Sequence, residues 1–297
     1  MKNIKKIAAF LLSGVMLPIG IVPATAEEND ITVKEVYNAT FDSFTSGTAA
    51  YDKFDSGLLK IGNWENSVAE YADAAYFADN PSEAADAEDV VVRGLCRKNT
   101  YFSIIFDADK KEVKEELQNA EKLYLTTDVY FDDDFDKRVD LSWWTTPFNE
   151  QKGLIGMFQF DFAKKEIRAN GLGVYSGEIR GKWHTVGLLV DNVTKQVSYF
   201  FDNAAVEGAQ NIRNSWNGTL NGMGRFLYAQ LNGQTKDCYM YFNNVAAYAL
   251  PDISIESDLG REAELPGEVT LKKQEESETV KVSWDISGIN ADKEGEY

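Results

Sequence analysis

Twice in this chain a run of alternating side chains turns back on itself. "GLIGMFQFDFAKKEIRANG" puts Phe158, Phe160 and Phe162 on one face, turns at "AKKE" and starts its return at Ile167. "GKWHTVGLLVDNVTKQVSYFFDN" runs from Trp183 to Asp191, turns at "NVTK" and comes back from Gln196 to Asp202. A period of two belongs to a strand, because successive side chains leave the backbone on opposite sides. Two turns this short make the paired strands antiparallel. The pattern recurs in "TYFSIIFDA", where Phe102, Ile104 and Phe106 share a face, from Leu123 to Phe131, and in "RFLYAQL" and "CYMYFNNVAAYAL". Their Tyr, Phe, Val and Thr content suits pleated, half-buried surfaces. The best helical signal is "DKKEVKEELQNAEK", Asp109 to Lys122, which reads as a short surface helix or a charged loop. The expected fold is all-β, a two-sheet antiparallel jelly-roll sandwich over residues 27–252.

The first 26 residues read as a targeting segment. A basic "MKNIKK", an apolar "IAAFLLSGVMLPIGIVP" and a small-residue "ATA" have the layout of a secretory signal peptide with cleavage after Ala26. Gly14, Pro18, Gly20 and Pro23 interrupt the apolar run, and no later stretch has the roughly 20 apolar residues of a membrane-spanning helix. Losing Lys2, Lys5 and Lys6 takes the formal charge from −18 to −21. A surface this acidic repels phosphate backbones, which argues against nucleic acid as a partner. Cys96 and Cys238 are the only cysteines. Export permits a disulfide between them, buried free thiols fit equally well, and no CxxC or His/Cys cluster points to zinc.

After Tyr248 aromatic density drops and charge density rises. "GEVTLKK" and "ETVKVSWDISG" then give two alternating strands around Trp284, and the chain stops at "DKEGEY" as another strand starts. A β-unit this small is marginal alone. Residues 253–297 are therefore expected to open a truncated second β-domain, with further domains beyond Tyr297.

The "WHTV…VD" strand with its return "YFFDN" resembles the central hairpin of concanavalin A-like lectin/glucanase and laminin-G-like sandwiches. "CYMYFNNVAAYAL" is similar to that family's last strand, with Asn243 in place of the usual Asp, and "YNATFDSF" to its first. The tail, with "ELPGEVTL", "VKVSWD" and "GEY", resembles bacterial Ig-like domains of group 4. The two resemblances imply a secreted or cell-surface bacterial protein, with a polysaccharide or glycan as partner. The function they imply is non-catalytic carbohydrate binding within a larger surface or polysaccharide-degrading protein. The alternatives are a glycoside hydrolase or polysaccharide lyase with sequence-distant acids, and an adhesin or structural spacer that binds protein.

Candidate chemistry is sparse. His184, the only histidine, alternates in line with Val186, Leu188 and Val190, as a structural residue would. No G-x-S-x-G elbow accompanies it. Glycosidases of the resembling fold space acids along one strand as E-x-D-x-E, so that two carboxylates share a face; that pattern is absent. Lyases of similar fold use a Q-I-H strand, and "MFQFDF" offers Gln159 without the histidine. Asp132, Asp133, Asp134 and Asp136 in "FDDDFDKR" are hard oxygen ligands that suit calcium, the one candidate cofactor, or form a solvated turn. Trp143 and Trp144 are adjacent, so in a strand one faces the core and the other turns outward. Aromatic rings stack on sugar faces and amides bond their hydroxyls. The candidate carbohydrate contacts are therefore Trp216, Trp144, Trp143 and Trp64 with Asn217, Asn221 and Gln230, and Asn232 nearby.

Overall fold

The computed structural model describes residues 32–48, 50, 59–62, 75–82, 89–96, 101–106, 115–117, 119–144, 154–206, 209, 225–231, 236–250, 268–273 and 276–281. The first strands are β1 (Thr32–Ala39), β2 (Leu59–Gly62), β3 (Ala75–Asp79), β4 (Val90–Cys96), β5 (Tyr101–Phe106) and β6 (Lys122–Phe131). β7 (Val139–Trp144), β8 (Leu154–Asp161), β9 (Glu166–Ala169), β10 (Leu172–Ser176), β11 (Trp183–Asp191) and β12 (Val197–Phe201) follow. The remainder are β13 (Ala204–Ala205), β14 (Arg225–Leu231), β15 (Cys238–Leu250), β16 (Glu268–Lys273) and β17 (Glu276–Lys281). Of the charged stretch from Asp109 to Lys122, residues 115–117 are helical, and Leu117 among them is buried in the core.

The strands form two sheets in a jelly-roll-like sandwich. Sheet A runs β13-β12-β11-β6-β15-β1-β16-β17, with β4 on the first half of β15 and β3 outside β4. Sheet B runs β10-β9-β8-β7-β14-β5-β2. All pairs are antiparallel except β1 with β16. Both expected hairpins are present, β8 with β9 and β11 with β12, and β11 has the bounds that its alternation predicts. The turn after β12 holds Asp202 and Asn203 at φ of 46° and 65°. Positive φ at both central residues matches the twist of a tight hairpin, and Asp and Asn tolerate it better than most side chains.

Period two also decides what fills the space between the sheets. From sheet A, Leu123, Leu125, Val129 and Phe131 of β6 and Val186, Leu188 and Val190 of β11 point inward, and Phe158 and Phe160 of β8 meet them from sheet B. Phe131 lies 4.8 Å from Phe160 across the gap. The sheets pack closely at Gly156, where an added Cβ would come within 2.7 Å of the Leu188 side chain.

β16 and β17, expected to open a second unit, pair with each other, and β16 lies parallel beside β1 in sheet A. A two-stranded ribbon buries little by itself, and here it lies along an edge of β1. Among the described residues these strands make no separate Ig-like sandwich. Cys96 and Cys238 are register partners on β4 and β15, both buried and both free thiols. Burial, reinforced by the Cys238 thiol beside it, raises the pKa of Cys96. No helix among the described residues is long and apolar enough to cross a membrane.

Candidate functional site

In β7, "VDLSWW", Val139, Leu141 and Trp143 face the core, which sends Asp140 and Ser142 to the outer face of sheet B. An acid in the middle of a sheet needs a partner, and Asp140 is only 8 % exposed. Arg138 grips it side-on, with Nε 3.0 Å from Oδ1 and Nη2 donating to Oδ2 at 3.0 Å. This fork-to-carboxylate geometry is the strongest form of the pair. Gln159 of β8 donates a longer bond to Oδ1, at 3.4 Å.

Register extends the polar strip in both directions. Gln159 is paired with Arg168 of β9, and Arg168 in turn bonds Glu166 at 2.9 Å. On the other side Asp140 is paired with Gln230 of β14, and Gln230 with Tyr101 of β5. A neighbouring row sets Met157, Ser142, Tyr228 and Ser103 opposite one another. Five strands about 4.8 Å apart give the row from Arg168 to Tyr101 a length of about 19 Å. Its described side chains, Arg168, Gln159 and Asp140, bring a guanidinium, an amide and a carboxylate, a mixed set of donors and acceptors of the kind that matches hydroxyl-rich ligands. Among the described residues, the carboxylates on this side each have a cation: Asp140 has Arg138, Glu166 has Arg168, and Asp161 has Lys164 at 3.3 Å.

Two residues named from the sequence fall in this strip. Gln230 is opposite Asp140, and Trp144 stands two positions beyond Ser142 in β7, opposite Arg225 and Leu154. Trp143 is corrected: it is fully buried, its ring 6.1 Å from Phe158, and offers nothing to a ligand. Period two sends it inward with Leu141. Trp64, Trp216, Asn217, Asn221 and Asn232 lie outside the described residues.

The four aspartates proposed for calcium do not converge. Asp132 accepts backbone N–H groups from Asp134 at 3.1 Å and Tyr239 at 2.6 Å, so its carboxylate closes the corner between β6 and β15. Burial raises its pKa above the ordinary aspartate value, against the lowering effect of those two bonds. Asp134 pairs with Lys236 at 3.2 Å and Asp136 with Lys137 at 3.7 Å, while the Asp133 carbonyl receives Arg180 at 3.5 Å. Phe135, inside the run, is buried in the core, and this anchors the turn. Among the described residues no three acidic, histidine or cysteine groups gather as a metal site.

His184 is 2 % exposed and packs between Tyr175 and Phe201, with ring centroids 5.5 and 5.1 Å away. Its Nδ1 meets Asp202 Oδ2 at 2.9 Å, and its Nε2 is buried without a hydrogen-bond partner. Asp202 also accepts the Thr185 N–H at 3.0 Å, so the histidine ties β11 to the turn after β12. This is the structural role expected from the alternation.

No protein-family model matches the chain, and no curated protein matches it. Among solved structures, the catalytic domain of a glycoside hydrolase family 131 protein from Coprinopsis cinerea is similar over 72 % of this chain and 94 % of that one, at 9 % identity and a TM-score of 0.47. The potassium-bound carbohydrate recognition domain of Emp46p is similar over 63 % of this chain and 94 % of that one, at 9 % identity and a TM-score of 0.38. The alginate lyase from Corynebacterium sp. is similar over 58 % and 83 % of the two chains, at 7 % identity and a TM-score of 0.37. An enzyme domain, a lectin domain and a lyase at such distances leave the function of this chain to its own residues.

Sequence reasoning missed Asp140, Arg138 and Arg168, and met Gln159 only as part of a lyase motif. The usable signal was an acid and a serine alternating with Val139, Leu141 and Trp143 inside a strand. Such a polar face in mid-sheet is unusual enough to mark.

Proposed function

We propose that this chain is a non-catalytic carbohydrate-binding module of the concanavalin A-like kind, carried by a larger secreted or surface-attached bacterial protein. The observation that carries the reading is the five-strand polar row from Arg168 through Gln159, Asp140 and Gln230 to Tyr101. Amide and charged groups set at strand spacing offer hydrogen bonds to successive hydroxyls of an extended glycan. Binding is preferred over hydrolysis because the described acids on this side, Asp140, Glu166 and Asp161, are each held in an ion pair. The signal peptide, the export it directs and the Ig-like opening of the tail belong to the same reading and rest on the sequence motifs.

A panel of neutral and acidic polysaccharides tests it, with the purified chain scored by gel retardation and reducing-end release. Retention on a defined glycan, weakened about tenfold or more by Gln159→Ala, supports the module. A glycan that is bound and then shortened makes the chain an enzyme. No retention on any glycan overturns the proposal.

A further inference from the structure

The opposite side of the sandwich carries a second row. On the outer face of sheet A, register sets Trp183 of β11 against Tyr130 of β6, Tyr130 against Tyr241 of β15, Tyr241 against Arg93 of β4, and Arg93 against Tyr76 of β3. One line across five strands thus holds four aromatic rings and one guanidinium, and all five side chains are part-exposed. The rings lean on one another, Trp183 to Tyr130 and Tyr130 to Tyr241 both at 5.6 Å. Arg93 lies between Tyr239, with its Cζ 4.7 Å from the ring centroid, and Tyr76, at 5.6 Å.

Arg93 is the anomaly. The chain carries 48 acidic residues against 30 basic ones, yet Arg93 meets no carboxylate among the described residues. Its Nε is buried and makes no hydrogen bond. The described acids nearby are committed elsewhere. Asp132 caps the Tyr239 and Asp134 N–H groups. Asp128 takes Thr185 Oγ1 at 2.6 Å and Asn244 Nδ2 at 2.7 Å, and Asp89 takes Asn80 at 2.7 Å and Asn243 at 3.1 Å. Two tyrosine rings hold the guanidinium and provide cation–π attraction in place of a counter-ion. That leaves the terminal Nη donors of this part-exposed residue to be met by an anion.

We infer that this face is a second glycan-binding surface, selective for a carboxylate-bearing sugar chain: the carboxylate meets Arg93, and sugar rings lie against Tyr241, Tyr130 and Trp183. Trp183 Nε1 is already bonded to Asn80 Oδ1 at 2.9 Å, so this residue offers a ring surface and no donor. A single cation amid acids is too little for a phosphate backbone, which demands many. One carboxylate beside stacked apolar ring faces is what it matches. The surface is separate from the polar row on sheet B, and each can be lost without the other.

The test uses polygalacturonate and the same polymer methyl-esterified, which keeps the sugar and removes the charge. Affinity electrophoresis of the wild-type chain should show retardation by polygalacturonate about 10- to 100-fold stronger than by the ester, and weakening in high salt. Arg93→Met keeps an apolar stem and should abolish that preference, and Arg93→Lys should restore only part of it. Gln159→Ala on sheet B should leave it intact. Near-ultraviolet circular dichroism checks that each variant keeps its fold. Equal affinity for the charged and esterified polymers, unaltered retardation of Arg93→Met, or loss in Gln159→Ala alone would each overturn the inference. So would binding to neither polymer, or binding to a proline-rich peptide in their place. Binding of a neutral glycan that depends on Gln159, together with no preference for the charged polymer over its ester, would leave the sheet B reading standing while this one falls.

Discussion

Gly187→Ala is the sharpest test of how β11 sits on β6. Gly187 is opposite Thr126, and the Tyr124 ring, one step diagonally along β6, lies over it. A Cβ built at Gly187 falls 2.6 Å from Tyr124 Oη, 2.8 Å from Cζ and 2.9 Å from Cε2. Ordinary contacts are about 3.5–4.0 Å, so the ring must retreat by roughly 1 Å. It has nowhere to go. Tyr124 is 1 % exposed, and its ring stands edge-on to Phe200 at 5.6 Å. Overpacking of this kind costs about 1–3 kcal/mol. The alanine returns about 0.4–1 kcal/mol through the lower entropy of the unfolded chain. The balance is a net loss of about 1–2 kcal/mol, read from urea unfolding followed by tryptophan fluorescence. In a Tyr124→Leu background the clash is gone, so Gly187→Ala should be neutral or stabilise by up to about 1 kcal/mol. An equal cost in both backgrounds would refute the reasoning. It would also unsettle the register that aligns Trp183 with Tyr130, since a slip of one residue sends every side chain of the strand to the other face.

Other expectations follow from single residues. Because burial raises the pKa of Asp132, the folded chain binds that proton more readily than the unfolded chain does. The stability it contributes therefore falls as pH rises from the ordinary aspartate value through the raised one, and wild type should lose ground to Asp132→Asn as pH rises above about 4. Parallel stability curves for the two proteins would be the contrary result. Cys96 and Cys238 are directly opposed, and antiparallel partners stand about 4.5–5.5 Å apart at Cα, inside the range that a disulfide accepts. Diamide should remove both thiols from a denaturing Ellman titration without altering far-ultraviolet dichroism; thiols that persist after partial unfolding in the oxidant would count against this geometry. Trp143→Ala should destabilise by about 3–5 kcal/mol, whereas Trp143→Phe costs less, because the buried Nε1 has no hydrogen-bond partner to lose. Any glycan affinity should be unchanged by Trp143→Phe.

The fold was legible because its signal is local. Phe158, Phe160 and Phe162, or Val186, Leu188 and Val190, declare a buried face within one strand, and the turns between neighbours declare the pairing. The order of distant strands is not local. Nothing in "CYMYFNNVAAYAL" says that its first half lies between β4 and β6 and its second half between β1 and β6. Both rows that matter depend on that order. Trp183, Tyr130, Tyr241, Arg93 and Tyr76 come from five separate segments, and each is an unremarkable outward residue in its own strand. The same holds for Arg168, Gln159, Asp140 and Gln230. The sequence search therefore favoured compact clusters, such as "FDDDFDKR" and adjacent tryptophans, where residue proximity stood in for spatial proximity. In a sandwich that substitution misleads, because neighbours along a strand part to opposite faces while neighbours across strands share one. Trp143 shows the first half of this, and the two cross-strand rows the second. A ligand surface on such a fold is found by reading perpendicular to the chain, and only the register makes that reading possible.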